Sequence, residues 1–155
     1  MDNQQALRIS LLELLEGQSA HIDLETAIRD FPEGEINTRI PHSPHTAWEL
    51  LEHIRIAQWD ILEFSRDAGH VSPVFPDGYW NKAAASGEDW RRSVEQVLSD
   101  LQAIRDLVAD EGTDLFAKIP HGTGQTRLRE VLLVADHNAY HLGQLMLIRR
   151  MLEEK

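Results

Sequence analysis

The stretch Trp90-Arg-Arg-Ser-Val-Glu-Gln-Val-Leu-Ser-Asp-Leu-Gln-Ala-Ile-Arg-Asp-Leu-Val108 decides the fold class of this chain. Its apolar residues recur at alternating spacings of four and three, which is the period of one face of an α-helix. They are Trp90, Val94, Val97, Leu101, Ile104 and Val108. Ser86 can cap the start of this helix, and Gly112 can end it. We therefore predict a long amphipathic helix between Ser86 and Gly112.

The same helical period recurs on both sides of this stretch, and no segment shows the alternation of a β-strand. Further helices are predicted at residues 3–16, about 22–31, about 46–66 and about 126–152. The helix at 46–66 begins with the capping box Thr46-Ala-Trp-Glu49. The short helix at 22–31 is predicted to extend the polypeptide segment that begins with the helix at 3–16. Four long helices with apolar stripes predict an all-α fold, a four-helix bundle.

Long connecting loops separate the predicted helices. Residues 32–43, 69–86 and 112–125 are each longer than the usual turn between bundle helices, and such loops often form lids or pocket walls. The segment Pro73-Val-Phe-Pro-Asp-Gly-Tyr-Trp80 places two prolines and three aromatic residues in one of them. This segment either covers a pocket or packs over an edge of the bundle, and the sequence favours neither.

Composition and charge exclude several classes of function. The 155 residues suit one domain, spanning 1–155, with an ordinary apolar content of 42%. A net charge of −11 argues against nucleic acid and anionic membrane surfaces as partners. The absence of cysteine excludes disulfides, thiolate ligands and a cysteine nucleophile. Without a signal peptide or an apolar run of ~20 residues, we expect a cytoplasmic protein.

The last predicted helix carries two histidines one turn apart on its apolar face. His137 and His141 occur in Asp136-His-Asn-Ala-Tyr-His-Leu-Gly-Gln144, and residues four apart share a helix face. Apolar residues continue that face, so both imidazoles are predicted to be buried. A buried imidazole needs a partner for each nitrogen, because an unsatisfied polar group is costly. A shared divalent metal ion is the simplest such partner.

Catalytic zinc sites usually have three protein ligands, and His53 is the best candidate for the third. It lies in Trp48-Glu-Leu-Leu-Glu-His-Ile54, on or beside the apolar stripe of its helix. His53 and the pair His137 and His141 are all near the middle of their helices. The three rings can therefore meet at one level if these helices are neighbours. A hydrogen bond to a carbonyl or carboxylate group is the alternative role for His53.

The remaining histidines receive no metal role. His42, His45, His70 and His121 fall in loops or at helix edges and are predicted to be solvated. His21 follows the first helix and is a weak candidate for lining a pocket at the mouth of the bundle.

Other kinds of catalytic site lack support in the sequence. The zinc-protease motif requires glutamate after its first histidine, and Asn138 occupies that position. No G-x-S-x-G nucleophile motif occurs, and the repeated Glu-x-x-His pattern of di-iron bundles is absent.

Four segments, spread over nearly the whole chain, together resemble the DinB-like superfamily (DinB/YfiT-like) of four-helix metal-binding proteins. They are Gly17-Gln-Ser-Ala-His21, the segment from Trp48 to Asp60, Pro76-Asp-Gly-Tyr-Trp80 and His137-Asn-Ala-Tyr-His-Leu-Gly-Gln144. In that superfamily one histidine of the second helix and two of the last bind a divalent metal, commonly zinc or nickel. The resemblance therefore implies that His53, His137 and His141 are the metal ligands.

The resemblance also implies an activity. Characterised members are thiol S-transferases or thiol-dependent isomerases that use thiols such as bacillithiol or mycothiol, and many are homodimers. We therefore expect a metal-dependent enzyme that activates a low-molecular-weight thiol for attack on a small-molecule electrophile under the 69–86 loop. Tyr140 and Gln144 flank the ligands and are expected to orient a ligand or water. The sequence identifies no catalytic residue and no site for an organic cofactor.

Two other functions use the same three histidines. A metal-dependent hydrolase would activate water in place of a thiol. A non-catalytic stress-response protein would bind the metal as a dimer without performing chemistry. In each case histidine must be neutral to bind the ion, so we expect metal loss below about pH 6, near the reference pKa of histidine.

Overall fold

The computed structural model describes residues 2–17 and 20–154, and its regular secondary structure there is helical. The five α-helices are α1 (Asn3–Glu16), α2 (Leu24–Arg29), α3 (Ala47–Arg66), α4 (Gly87–Ala109) and α5 (Arg127–Glu153). The all-α prediction is therefore confirmed. Gln18 and Ser19, which belong to one segment of the family resemblance, lie outside the described residues. None of the helices in the described ranges has both the length and the apolarity of a membrane span.

Local capping fixes where the two central helices begin. At α3, the Thr46 hydroxyl accepts from the Glu49 backbone N–H, and the Glu49 side chain accepts from the Thr46 backbone N–H. Ser86 and Asp89 form the same reciprocal pair at the start of α4. Each pair satisfies backbone N–H groups that have no partner within the helix. Both helix starts therefore lie where the sequence predicts them.

Two of the predicted helix limits differ from the structure. The predicted piece at 22–31 is helical only over Leu24–Arg29, because Asp23 caps its start. Helix α4 ends at Ala109, before the predicted limit at Gly112. Asp110 turns the chain there, since its side chain accepts from the backbone N–H of Gly112.

Each long helix packs mainly against two others. Helix α3 lies between α4 and α5, and α1 contacts α4 and α5 on the opposite side. One apolar cluster joins α2, the N-terminal halves of α3 and α4, and the C-terminal half of α5. A second cluster joins α1, the C-terminal halves of α3 and α4, and the N-terminal half of α5. Helices α3 and α4 therefore run in the same direction, and α5 runs antiparallel to both.

This topology explains the long connection at residues 67–86. Because α3 and α4 run in the same direction, the chain has to return along the bundle between them. Side chains of α3 anchor the returning segment. The Tyr79 hydroxyl donates to Asp60 Oδ2 over 2.6 Å, and the Asn81 side chain donates to Glu52 Oε2 over 3.2 Å. The segment therefore lies along the helix that carries one of the predicted metal ligands.

Candidate metal centre

Helices α3 and α5 bring the three predicted ligands together. One ring nitrogen from each of His53, His137 and His141 lies within 4.8 Å of those of the other two. The Nε2 atoms of His53 and His137 are 3.1 Å apart. The rings meet because α3 and α5 pack antiparallel, so that positions near the middle of each helix face each other. The level match expected from the sequence is present, while metal binding by these residues stays a prediction.

Hydrogen bonds fix the tautomers of two of the rings. His53 Nδ1–H donates to the backbone carbonyl of Tyr79 over 3.0 Å. His141 Nδ1–H donates to Gln144 Oε1 over 2.7 Å. Because each of these oxygens can only accept, the proton sits on Nδ1 and Nε2 carries the lone pair. This is the usual arrangement of histidine ligands at metal sites.

Burial keeps all three imidazoles neutral. Burial first, and then the neighbouring His141 and His53, lower the pKa of His137 to about 4. Burial also lowers the pKa values of His53 and His141 below the ordinary value of histidine. The neutral ring is the form that binds a metal ion, so the cluster is prepared for an ion at physiological pH.

The spacing and the donor set both fit a divalent ion. Two nitrogens bound to one tetrahedral Zn²⁺ at ~2.0–2.1 Å lie roughly 3.3 Å apart, close to the observed contact between His53 and His137. In the described part of the chain, the cluster consists of three imidazoles and contains no carboxylate. Nitrogen ligands of this kind suit zinc or nickel better than magnesium or calcium, which prefer oxygen ligands. The choice between zinc and nickel stays a prediction.

An aromatic stack covers the outer side of His53. The Trp80 ring is parallel to His53 within 1°, with ring centroids 3.9 Å apart. His45 lies parallel to Trp80 at the same centroid distance of 3.9 Å. Two rings at this distance from one indole must occupy its opposite faces. The prediction that His45 is solvated is therefore wrong, because Trp80 covers one face of its ring.

His70 also differs from the prediction of a solvated ring. Its side chain is 7% exposed, and Nε2–H donates to Asp60 Oδ1 over 2.7 Å. The second oxygen of Asp60 accepts from the Tyr79 hydroxyl. Burial and this hydrogen bond raise the pKa of Tyr79 to about 12, so the phenol remains a donor. His70 is thus a structural partner of Asp60 and lies outside the histidine cluster.

The other residues singled out in the sequence lie around the cluster or away from it. His42 and His121 are exposed, as predicted. His21 is exposed and lines a small cavity beside Gly17 and Leu24, separate from the candidate ligands. Tyr140 is 65% exposed, and its ring lies edge-on to His141 with centroids 4.9 Å apart.

The segment from Pro73 to Trp80 combines both roles that the sequence left open. Its end covers the site, since Tyr79 and Trp80 contact His53. Its middle protrudes, with Val74 and Phe75 82% and 83% exposed. Residue spacing along the helices does not reveal the roles of Trp80 and the Tyr79 carbonyl. The signal that pointed to them was the concentration of aromatic residues in this loop.

The sequence model of the DinB superfamily matches residues 18–145. The chain belongs to the DinB superfamily. The matched range contains His53, His137 and His141, so the histidine cluster of this DinB superfamily member lies inside the matched part. No curated protein and no solved structure matches the chain.

Proposed function

We propose that this DinB superfamily protein is a metal-dependent enzyme that transfers a low-molecular-weight thiol to an electrophilic small molecule. The observation that carries the proposal is the convergence of neutral His53, His137 and His141, with Nδ1 protonated and Nε2 unprotonated in His53 and His141. Three protein ligands are typical of catalytic metal sites, because they leave a position for an external ligand. The resemblance to the DinB-like superfamily, whose characterised members include thiol S-transferases, supports the reaction class.

The chemistry of the proposed transfer is a substitution. A divalent ion held by His53, His137 and His141 would lower the pKa of a thiol and favour its thiolate at neutral pH. The sulfur then forms a bond to the electrophilic carbon, and the leaving group departs with the electron pair of the broken bond. The proton of the thiol ends on the leaving group or, where that group is a halide, on water. The chain contains no cysteine, so the sulfur belongs to a cosubstrate.

Neighbouring residues hold the ligands in place for this reaction. The Tyr79 carbonyl and the Gln144 side chain orient His53 and His141 through their Nδ1–H groups. Trp80 covers the outer face of His53 and keeps water from that side. These contacts act through the ligands, so we assign them to positioning rather than to chemistry.

The first test combines elemental analysis with a transfer assay. Protein purified without an affinity tag is expected to contain about one zinc or nickel ion per chain. Transfer of bacillithiol, mycothiol or glutathione to an activated aryl halide should require both thiol and metal. His137→Ala should reduce metal affinity by at least roughly a hundredfold and abolish transfer, because a ligand matters more than the groups that orient it. His121→Ala, at an exposed histidine outside the cluster, is the matched control.

Two results of this test would reject the proposal. Metal-dependent turnover that ignores thiol would favour a hydrolase. Full metal content with no turnover of any electrophile would favour a non-catalytic metal-binding protein. We also propose a cytoplasmic location and, on the resemblance alone, a homodimer. Sedimentation velocity would measure the oligomeric state.

A further inference from the structure

A groove of about 370 Å³ lies between residues 40–45 and the C-terminal half of α5. Leu50 of α3 lines it, and Leu147, Ile148 and Met151 form the α5 side. Its volume falls within the ~300–1,000 Å³ of typical small-molecule sites. The groove is therefore large enough for a small organic ligand.

The groove adjoins the candidate metal centre. Gln144 lines it and also accepts the Nδ1–H of His141. His45 lines it and stacks on Trp80, the ring that covers His53. A ligand in the groove would thus touch residues that directly contact the histidine cluster or its aromatic cover.

One face of α5 carries both the cluster and the groove. His141, Gln144, Ile148 and Met151 follow one another at spacings of three, four and three residues, so they share a helix face. At ~1.5 Å rise per residue, Met151 lies about 15 Å from His141 along the helix axis. The groove therefore begins at Gln144, three residues after His141, and extends about two helical turns to Met151.

The lining favours an uncharged, apolar ligand. Leu147 and Met151 are 58% and 40% exposed, although both are large apolar residues. The described residues that line the groove include no aspartate, glutamate, lysine or arginine. A charged group placed there would lose water without gaining a counter-ion. An alkyl or aryl group would cover the exposed apolar surface and gain from its removal from water.

We propose that this groove binds the apolar body of the electrophilic substrate. The reactive carbon lies at the His141 end, and an alkyl or aryl chain runs along α5 towards Met151. The inference rests on the proposed function and adds a substrate class to it, neutral electrophiles that carry an extended apolar group.

Direct binding tests the groove without relying on turnover. The probe is N-phenyl-1-naphthylamine, a neutral apolar fluorophore, titrated into the zinc-loaded protein. Leu147→Glu and Met151→Glu introduce a charge at exposed positions of the groove and should raise the Kd at least tenfold. Leu132→Glu is the matched control, because Leu132 is also an α5 residue, 44% exposed, and lies outside the groove lining. All three variants should retain one zinc ion per chain.

A homologous series of alkyl electrophiles tests the assignment to the substrate. KM should fall about fourfold for each added methylene group until the groove is filled, with little change in kcat. Leu147→Glu should remove this dependence on chain length, and Leu132→Glu should keep it. Long-chain electrophiles should also displace the probe.

Failure of the inference is distinguishable from failure of the proposed function. Transfer with a KM that is independent of chain length would overturn the groove assignment and leave the transferase intact. Probe binding that depends on Leu147 in a protein without transferase activity would overturn the transferase and support an apolar ligand in the groove. Dissociation of a dimer by Leu147→Glu, without loss of substrate binding, would show that a second copy covers this face and would overturn the inference.

Discussion

Gln144 determines which nitrogen of His141 is available to an ion. Its Oε1 accepts the Nδ1–H of His141 over 2.7 Å, and this contact fixes both the tautomer and the orientation of the ring. An imidazole without such a partner rotates and exchanges its proton between two nitrogens. A single amide side chain therefore contributes to metal affinity although it does not contact the metal.

Replacing Gln144 should weaken metal binding in a way that depends on the acceptor. Gln144→Leu removes the oxygen, and we expect zinc affinity to fall roughly 10–100-fold. Gln144→Glu keeps an oxygen in place and should retain the affinity of the parent protein. Competition against a chromogenic zinc chelator at pH 7.5 measures both. Equal affinities for the leucine variant and the parent would show that the contact does not orient the ligand.

At the scale of elements, Asp60 fastens the 67–86 connection to α3. Its two oxygens accept from His70, near the start of this connection, and from the Tyr79 hydroxyl, past its middle. The same Tyr79 provides the carbonyl that orients His53. The position of the loop and the orientation of one candidate ligand are therefore linked through one carboxylate.

Two substitutions measure how firmly this connection is held. Tyr79→Phe removes one hydrogen bond and should lower the free energy of unfolding by about 1 kcal/mol. Asp60→Ala leaves both partners without an acceptor and should cost about 2–3 kcal/mol. Asp77 is an exposed residue of the same loop, and Asp77→Ala should change the free energy of unfolding by less than about 0.5 kcal/mol. Urea denaturation of the metal-free variants provides the values, and equal stabilities for Asp60→Ala and Asp77→Ala would contradict the anchoring role.

Some features of these elements can be predicted from the sequence alone, and others cannot. The starts of α3 and α4 follow from capping boxes, which are interactions between residues three apart and are visible in any sequence. The convergence of the histidines follows from helix period and level. The burial of His70 could not be predicted, because it depends on a loop that folds back onto Asp60. The stack of Trp80 on His53 likewise joins residues that no local spacing relates.

For the whole molecule, the low pKa of His137 couples stability to pH. Above about pH 6.5, neither the folded nor the unfolded chain protonates this ring. Between that pH and the folded pKa of about 4, only the unfolded chain binds the proton, so the free energy of unfolding falls as pH falls. Below the folded pKa no further loss arises from this group. The lowered pKa values of the three rings shift their protonation to lower pH, so metal loss should begin at a lower pH than an unperturbed histidine would give.

We expect metal-free protein to lose about 1–3 kcal/mol of unfolding free energy between pH 7 and pH 4 through His137, less than a fully buried ring would give. His137→Leu should remove this part of the pH dependence, because the leucine has no proton to bind. His121→Leu, outside the cluster, should keep the parent slope. Urea denaturation with a chelator at a series of pH values tests this. Parallel curves for the parent and His137→Leu would contradict the assignment.

The parallel contact of Trp80 with His53 gives the molecule an internal optical reporter. Trp80 is one of four tryptophans, and its indole lies against a ring of the proposed ion site. Nickel or cobalt, with a partly filled d shell, quenches the emission of such a neighbour, whereas zinc has a filled d shell and leaves it bright. The light emitted by the unlabelled protein therefore reports occupancy by nickel or cobalt and distinguishes these ions from zinc.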